Sequence, residues 1–298
     1  MPRSRLIAAL TWPALSLPLY SAAVAQAIVV GAKDFTEQLL VSEMTTQLLR
    51  ASGFSIHKGT GFTASGVRSL QESGIIDLYW EYTGTALATL KVTEKLAPGE
   101  AYERIKALDA QRGLVWLAPS KVNNTYALAM RRSDAQAKGI ATISELATRI
   151  RAGAALRLGC PLLFPTRADG LNPLQKAYGF EFGPGYVVAM DPAAVYTELR
   201  LKGIDVGVIF ATDGRVSDSD LTILRDDRGF FPSYLLTPVV RHNTLEQYPK
   251  IKPILEKLSA ELDKDTMTAL NANVALHGRN LEEVATEFLR QRALFREP

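Results

Sequence analysis

The pattern that most constrains this chain is a unit that occurs twice. Residues 67–84 read VRSLQESGIIDLYWEYTG, and residues 195–214 read VYTELRLKGIDVGVIFATDG. Each copy reads as a helix, a glycine stop, an Ile-Asp pair opening a strand, then an aromatic and a threonine-containing turn. Tyr82 lies five residues after Asp77, and Phe210 lies five residues after Asp205. If the copies fold alike, each half of the chain presents one aromatic at the carboxyl end of an equivalent strand. That end is where open α/β sheets bind ligands. Two lobes facing each other would aim Tyr82 and Phe210 into one cleft.

The rest of the chain suits that plan. Apolar runs such as IVVGA (28–32), ALRLGC (155–160) and IDVGVIF (204–210) alternate with helical stretches through most of the length. The alternation argues an α/β fold with mainly parallel sheets flanked by helices. The helix after IVVGA is expected to open on Asp34 as N-cap with Glu37 at N3, and Gly53 is expected to stop it. A second capping box, Thr142 with Glu145, opens TISELATRI. The first 27 residues read as a secretory signal peptide: Arg3 and Arg5, an apolar stretch broken by Pro13 and Pro18, then small residues before the cut. The roughly 270 residues that follow are large for one core and predict two lobes. Export with a single cysteine, Cys160, leaves no internal disulfide and suits a periplasm.

Charge and motifs narrow the chemistry. Of 34 Lys and Arg, removing Arg3 and Arg5 leaves 32 against 31 acidic residues, so nothing electrostatic points to nucleic acid. His57, His242 and His277 are scattered without metal-ligand spacing, Cys160 has no paired histidine, and no nucleophile elbow or phosphate loop is present. No cofactor is expected. Asp226 and Asp227 sit between Arg225 and Arg228 and read as a salt-bridged turn. The aromatics say more. YWEYTGT, NNTYAL, VIFATDG and FFPSY all set rings beside turn residues. Any one of them could fill a core. Together, at strand ends in both halves, they suggest a box of rings without a matching acid. A quaternary ammonium group needs such a box, because it is weakly hydrated, has no N–H to donate and is drawn to ring faces. Another small cationic or amino-acid-like solute, or an enzyme on a two-lobed scaffold, remains an alternative on these residues alone.

GAKDFTEQLLVSEM, SGIIDLYWEYTGTAL, NNTYALAMR, RADGL, IDVGVIFATDGR and LRDDRGFFPSYLLTPVVR resemble, in order, the osmoprotectant-binding proteins of ABC importers. That family binds glycine betaine, choline, carnitine and similar compounds. The resemblance implies a type II periplasmic binding protein fold, with one lobe from 28–130 and 238–298 and the other from 131–237. The hinge strands would lie near Met130–Arg132 and Leu236–Pro238. It implies a ring cage of Tyr82, Tyr126, Phe210 and Tyr234, in which Phe210 replaces the usual tyrosine. Gln38, Thr85 and Asn124 would serve the polar end of the ligand. Ser65, a hydroxyl where the family varies, leans toward a carboxylate-bearing ligand. The implied partners are a small quaternary-ammonium solute, a membrane permease and its ATPase, served by a monomer in the periplasm.

Overall fold

The computed structural model describes residues 27–295 except Thr63, Thr93 and Ser219. The signal peptide expected over 1–27 lies outside them, Ala27 apart. Among the described residues there are ten strands: β1 (Ile28–Lys33), β2 (Ile56–Phe62), β3 (Leu78–Tyr82), β4 (Leu114–Trp116), β5 (Tyr126–Arg131), β6 (Leu158–Pro161), β7 (Val187–Met190), β8 (Val206–Phe210), β9 (Leu221–Leu224) and β10 (Leu236–Arg241). They form two five-stranded sheets, β2-β1-β3-β10-β4 and β7-β6-β8-β5-β9. In each sheet four strands run one way and the fifth, β10 or β5, runs against its two neighbours. Each sheet is therefore mixed, with two parallel and two antiparallel pairings, and helices flank both.

The repeated unit folds alike in both places. Tyr82 is the last residue of β3, and Phe210 is the last residue of β8. Before each strand an isoleucine packs over a glycine of the adjacent strand. A Cβ on Gly31 would stand 2.8 Å from Ile76 Cδ1, and a Cβ on Gly159 would run into Ile204 in the same way. Asp77 accepts a bond from the Val29 backbone N–H at 2.8 Å, and Asp205 accepts one from Arg157 N–H at 2.8 Å. Arg241, ending β10, faces Asp77 at 3.5 Å, while Arg131, ending β5, faces Asp205 at 3.3 Å.

β5 belongs wholly to the second sheet and β10 wholly to the first, so divisions at 130/131 and 237/238 would cut both strands. The chain changes sheet before each of them. There the two crossing segments pair side by side: Asn124 N–H donates to Tyr234 C=O, and Leu236 N–H donates to Val122 C=O.

Three local expectations differ. The first helix, α1 (Thr36–Ala51), has Phe35 as N-cap without a side-chain cap bond, so Asp34 and Glu37 form no capping box. The Glu37 carboxylate is drawn into the interior by other donors. The Thr83-Gly84-Thr85 turn is the first turn of a helix, Thr83–Thr89. Asp226 does not pair with the flanking arginines. It accepts from the Phe230 and Phe231 backbone N–H groups, both at 2.8 Å, and so shapes the turn before FFPSY. The Thr142–Glu145 capping box is present. Cys160 is buried at the end of β6, which pushes its thiol up to about 11.

Candidate ligand site

Both repeated strands deliver their terminal ring to the same place. Tyr82 stacks with Phe35 (centroids 6.4 Å apart), Phe35 with Phe210 (6.0 Å, 5° between planes), and Phe210 contacts Tyr126 at 5.1 Å. Tyr126 meets Tyr234 edge-on at 5.6 Å. The four rings expected from the sequence thus share one cluster. Its rings come from β3, β5, β8, the segment before β10 and the β1–α1 junction. Tyr126 and Phe210 face each other in the β5–β8 register, and Tyr82 faces Leu236 in the β3–β10 register. Tyr79 and Trp80, in the same LYWEY strand, are buried in the core instead. Phe35, the ring that links the two halves of the cluster, was missed. It sits inside the DFTEQ run, but there it reads as the first residue of a helix.

One edge of the cluster is organised around a carboxylate. Glu37 is 2% exposed and accepts four side-chain hydrogen bonds. Tyr82 hydroxyl donates at 2.7 Å, Asn124 Nδ2 at 3.0 Å, Asn271 Nδ2 at 3.0 Å, and Thr212 hydroxyl closes the set. Burial raises the Glu37 carboxyl above its usual value, and the four donors oppose that shift. Burial, with Glu37 beside it, pushes the Tyr82 phenol well above its ordinary range. The sequence reading of a box without an acid is therefore corrected. The acid comes from the first turn of α1, and its charge is spread over donors from both halves.

Two basic side chains, Lys33 buried and Arg167 partly buried, reach the rings from other sides. Lys33, 3% exposed, ends β1, lies 5.2 Å from the Tyr82 ring centroid and pairs with Glu81. Its ammonium is held below its usual value by burial, against the pull of Glu81. Arg167 lies 5.5 Å from the Tyr126 ring centroid and grips Asp169 with two bonds of 2.6 Å. Asp169 in turn accepts from the Tyr234 hydroxyl at 2.6 Å. Lys33 and Arg167 lie in the GAKDFTEQ and RADGL runs, but without the strand ends in place nothing marks them as neighbours of rings.

The polar candidates divide. Asn124 is 7% exposed and joins the Glu37 network. Gln38 is 1% exposed, and neither end of its amide has a hydrogen-bond partner among the described residues. Thr85 is half-buried in the third position of the Thr83–Thr89 helix. Ser65 lies in the first turn of the helix Ala64–Glu72, and its side chain is outside the described residues. A cavity of about 250 Å³ adjoins the cluster, walled by Phe35, Phe210, Glu37, Asn124, Thr212 and Asn271 among others.

The family model for the substrate binding domain of ABC-type glycine betaine transport systems matches residues 26–291. A glycine-betaine-binding protein of Pseudomonas aeruginosa is 37% identical over 93% of this chain and 92% of its own length. The glycine betaine-binding protein YehZ of Escherichia coli is 32% identical over 94% of each chain. A solved glycine betaine/carnitine/choline ABC transporter structure superposes with a TM-score of 0.74 at 26% identity, covering 90% of this chain and all of the other. This chain belongs to the family of substrate-binding domains of ABC-type glycine betaine transport systems.

Proposed function

We propose that the protein is the solute receptor of an ABC importer and captures a quaternary ammonium compound such as glycine betaine or choline in its ring cluster. One observation carries the reading: five contacting rings drawn from both sheets, two of which, Tyr82 and Phe210, stand at the carboxyl ends of equivalent strands. Each ring face desolvated against a methylated ammonium contributes up to roughly 2 kcal/mol. For a zwitterion, the carboxylate has candidate partners nearby in Lys33, Arg167, the Gln38 amide and the Thr85 hydroxyl.

Rings packed at 5.1–6.4 Å must separate to admit a trimethylammonium group. We therefore assign two lobes, carrying the first and second sheets, that part about the paired crossing segments near Val122–Thr125 and Pro232–Leu235. Ligand touching rings of both lobes shifts the balance toward closure. The closed receptor, a monomer exported to the periplasm by a cleaved leader, then meets a permease and its ATPase. It leaves its ligand unchanged.

Calorimetric titration with glycine betaine, choline and carnitine, with lysine and arginine as controls, tests the reading. Saturable binding of at least one methylated ammonium, absent for the controls, is expected. Binding of arginine or lysine with none of the three would overturn it.

A further inference from the structure

The repeated unit ends on a glycine in both copies, Gly84 and Gly214, and in each place another segment presses against it. A Cβ on Gly84 would stand 2.8 Å from the Ser233 carbonyl oxygen and 2.9 Å from the Tyr234 ring, in a crossing segment. A Cβ on Gly214 would stand 2.3 Å from both the backbone N and the Cα of Ala272, and 2.7 Å from its Cβ. Ala272 lies in the helix Lys264–Ala275, whose Met267 and Leu270 pack into the first sheet's core with Leu40 and Trp80. Gly214 follows β8 of the second sheet, so this backbone-on-backbone contact joins the two halves. The Gly214 φ lies outside the left-handed region, so the space and not the dihedral demands a glycine.

Two side-chain bonds flank the contact. Asn271 Nδ2 donates to the Thr212 carbonyl at 2.8 Å, and the Thr212 hydroxyl donates to Glu37. The turn is braced within its own half: Asp213 accepts from the Arg215 backbone N–H at 3.0 Å and from its guanidinium at 2.9 and 2.8 Å. A braced turn against a helix backbone cannot yield by rotating one side chain. Gly214 and Ala272 carry no ring and are not among the described residues that line the adjoining cavity.

We propose that the turn 212–214 and the helix Lys264–Ala275 form a latch that holds the two lobes closed without needing the solute. The inference rests on the two-lobe, ring-cluster reading and adds a closure device built into the chain. The latch draws the empty receptor toward the form in which the rings of both halves meet. Apparent affinity scales with the fraction of receptor in the binding-competent form, so Gly214 and Ala272 scale the affinity for every solute by one common factor. The rings decide which solute is held.

The test places a wedge from either lobe of the full chain: Gly214→Ala on the second, and Ala272→Val on the first, where the Ala272 Cβ faces the turn. Small-angle X-ray scattering without solute should give each folded variant a larger radius of gyration than the unaltered protein. Calorimetry should show glycine betaine and choline binding weakened roughly tenfold or more, with the ratio of the two affinities kept within about twofold. Equal radii for the unaltered protein and a folded variant overturn the latch. So does weakening confined to one solute, which would put the turn in contact with the ligand. The unaltered protein gives a reading even if both variants misfold: a solute-free scattering curve fitted by parted lobes alone overturns the latch, and one that requires the closed form upholds it. Failure of the unaltered protein to bind either solute overturns the ring-cluster reading, while expansion of the solute-free variants still upholds the latch.

Discussion

The two halves of this molecule share a scaffold and differ in chemistry. In each, an isoleucine packs over a glycine, an aspartate ties the start of the neighbouring strand, and an arginine at the end of the antiparallel strand faces that aspartate. These residues set where β3 and β8 end, and hence where Tyr82 and Phe210 stand. Beyond the scaffold the likeness stops. Aligned on the shared strand registers, the buried Lys33 and Glu81 of the first half correspond to Pro161 and Ile209 of the second. Tyr82 spends a hydroxyl on Glu37, and Phe210 has none to spend. The comparison teaches that the duplicated part delivers rings, while the charged groups beside them differ: Lys33 with Glu81 in the first half, Arg167 with Asp169 in the second.

The sharpest way to break the comparison is to cut the two aspartate ties. Asp77→Ala and Asp205→Ala each strand a backbone N–H; the first also leaves the Thr244 hydroxyl and Arg241 without that carboxylate, whereas Arg131 keeps its pair with Asp134 when Asp205 is lost. Each should lower unfolding free energy by roughly 1–3 kcal/mol. Denaturant melts should show losses of the same order, the Asp77→Ala loss being larger by about one hydrogen bond, roughly 0.5–1.5 kcal/mol, because only Asp77 also accepts from Thr244. Loss from one variant alone would show that the scaffold likeness is not energetic.

A second prediction sharpens the charge asymmetry. The Glu37 carboxyl is raised by burial, so between its unfolded value, about 4.3, and its folded one the native state binds more protons than the unfolded chain. Its contribution to stability therefore falls as pH rises through that window, by at most about 1.4 kcal/mol per pH unit. Glu37→Gln removes the term. The stability of the unaltered protein relative to this variant should decline from pH 5 to pH 8 in denaturant melts. A pH-independent difference would mean that the four donors fully offset burial.

A smaller effect is expected at Phe210, where the resemblance implies a tyrosine. Phe210→Tyr restores a hydroxyl and should change the ratio of glycine betaine to choline affinity by a few fold, below about 1.4 kcal/mol. An unchanged affinity for both ligands would show that the missing hydroxyl has no part in selection.

Much of this was legible in the sequence because the scaffold signals are local. Helix, glycine stop, Ile-Asp and strand-end aromatic follow within twenty residues, so the repeat and the positions of Tyr82 and Phe210 could be read directly. The rings of NNTYAL and FFPSY were legible beside their turns, and the resemblance gave Tyr126 and Tyr234 their place in a cage. What stayed hidden depends on long-range convergence. Glu37 looks like a helix cap until Tyr82, Asn124, Thr212 and Asn271 are brought to it from 45 to 234 residues away. Phe35 looks like an entry residue until β8 sets Phe210 against it. The places where the chain changes sheet were expected inside β5 and β10, because a strand pattern does not show which sheet it joins.

The account turns on rings from opposite halves holding one ammonium group together. The most direct measurement is glycine betaine or choline affinity, by calorimetry, for Tyr82→Leu on the first sheet and Tyr126→Leu on the second, with folding checked by circular dichroism. Loss of one desolvated cation–ring contact, up to roughly 2 kcal/mol, predicts that each variant binds about tenfold to thirtyfold more weakly. A folded variant of either kind that binds as tightly as the unaltered protein would contradict the claim.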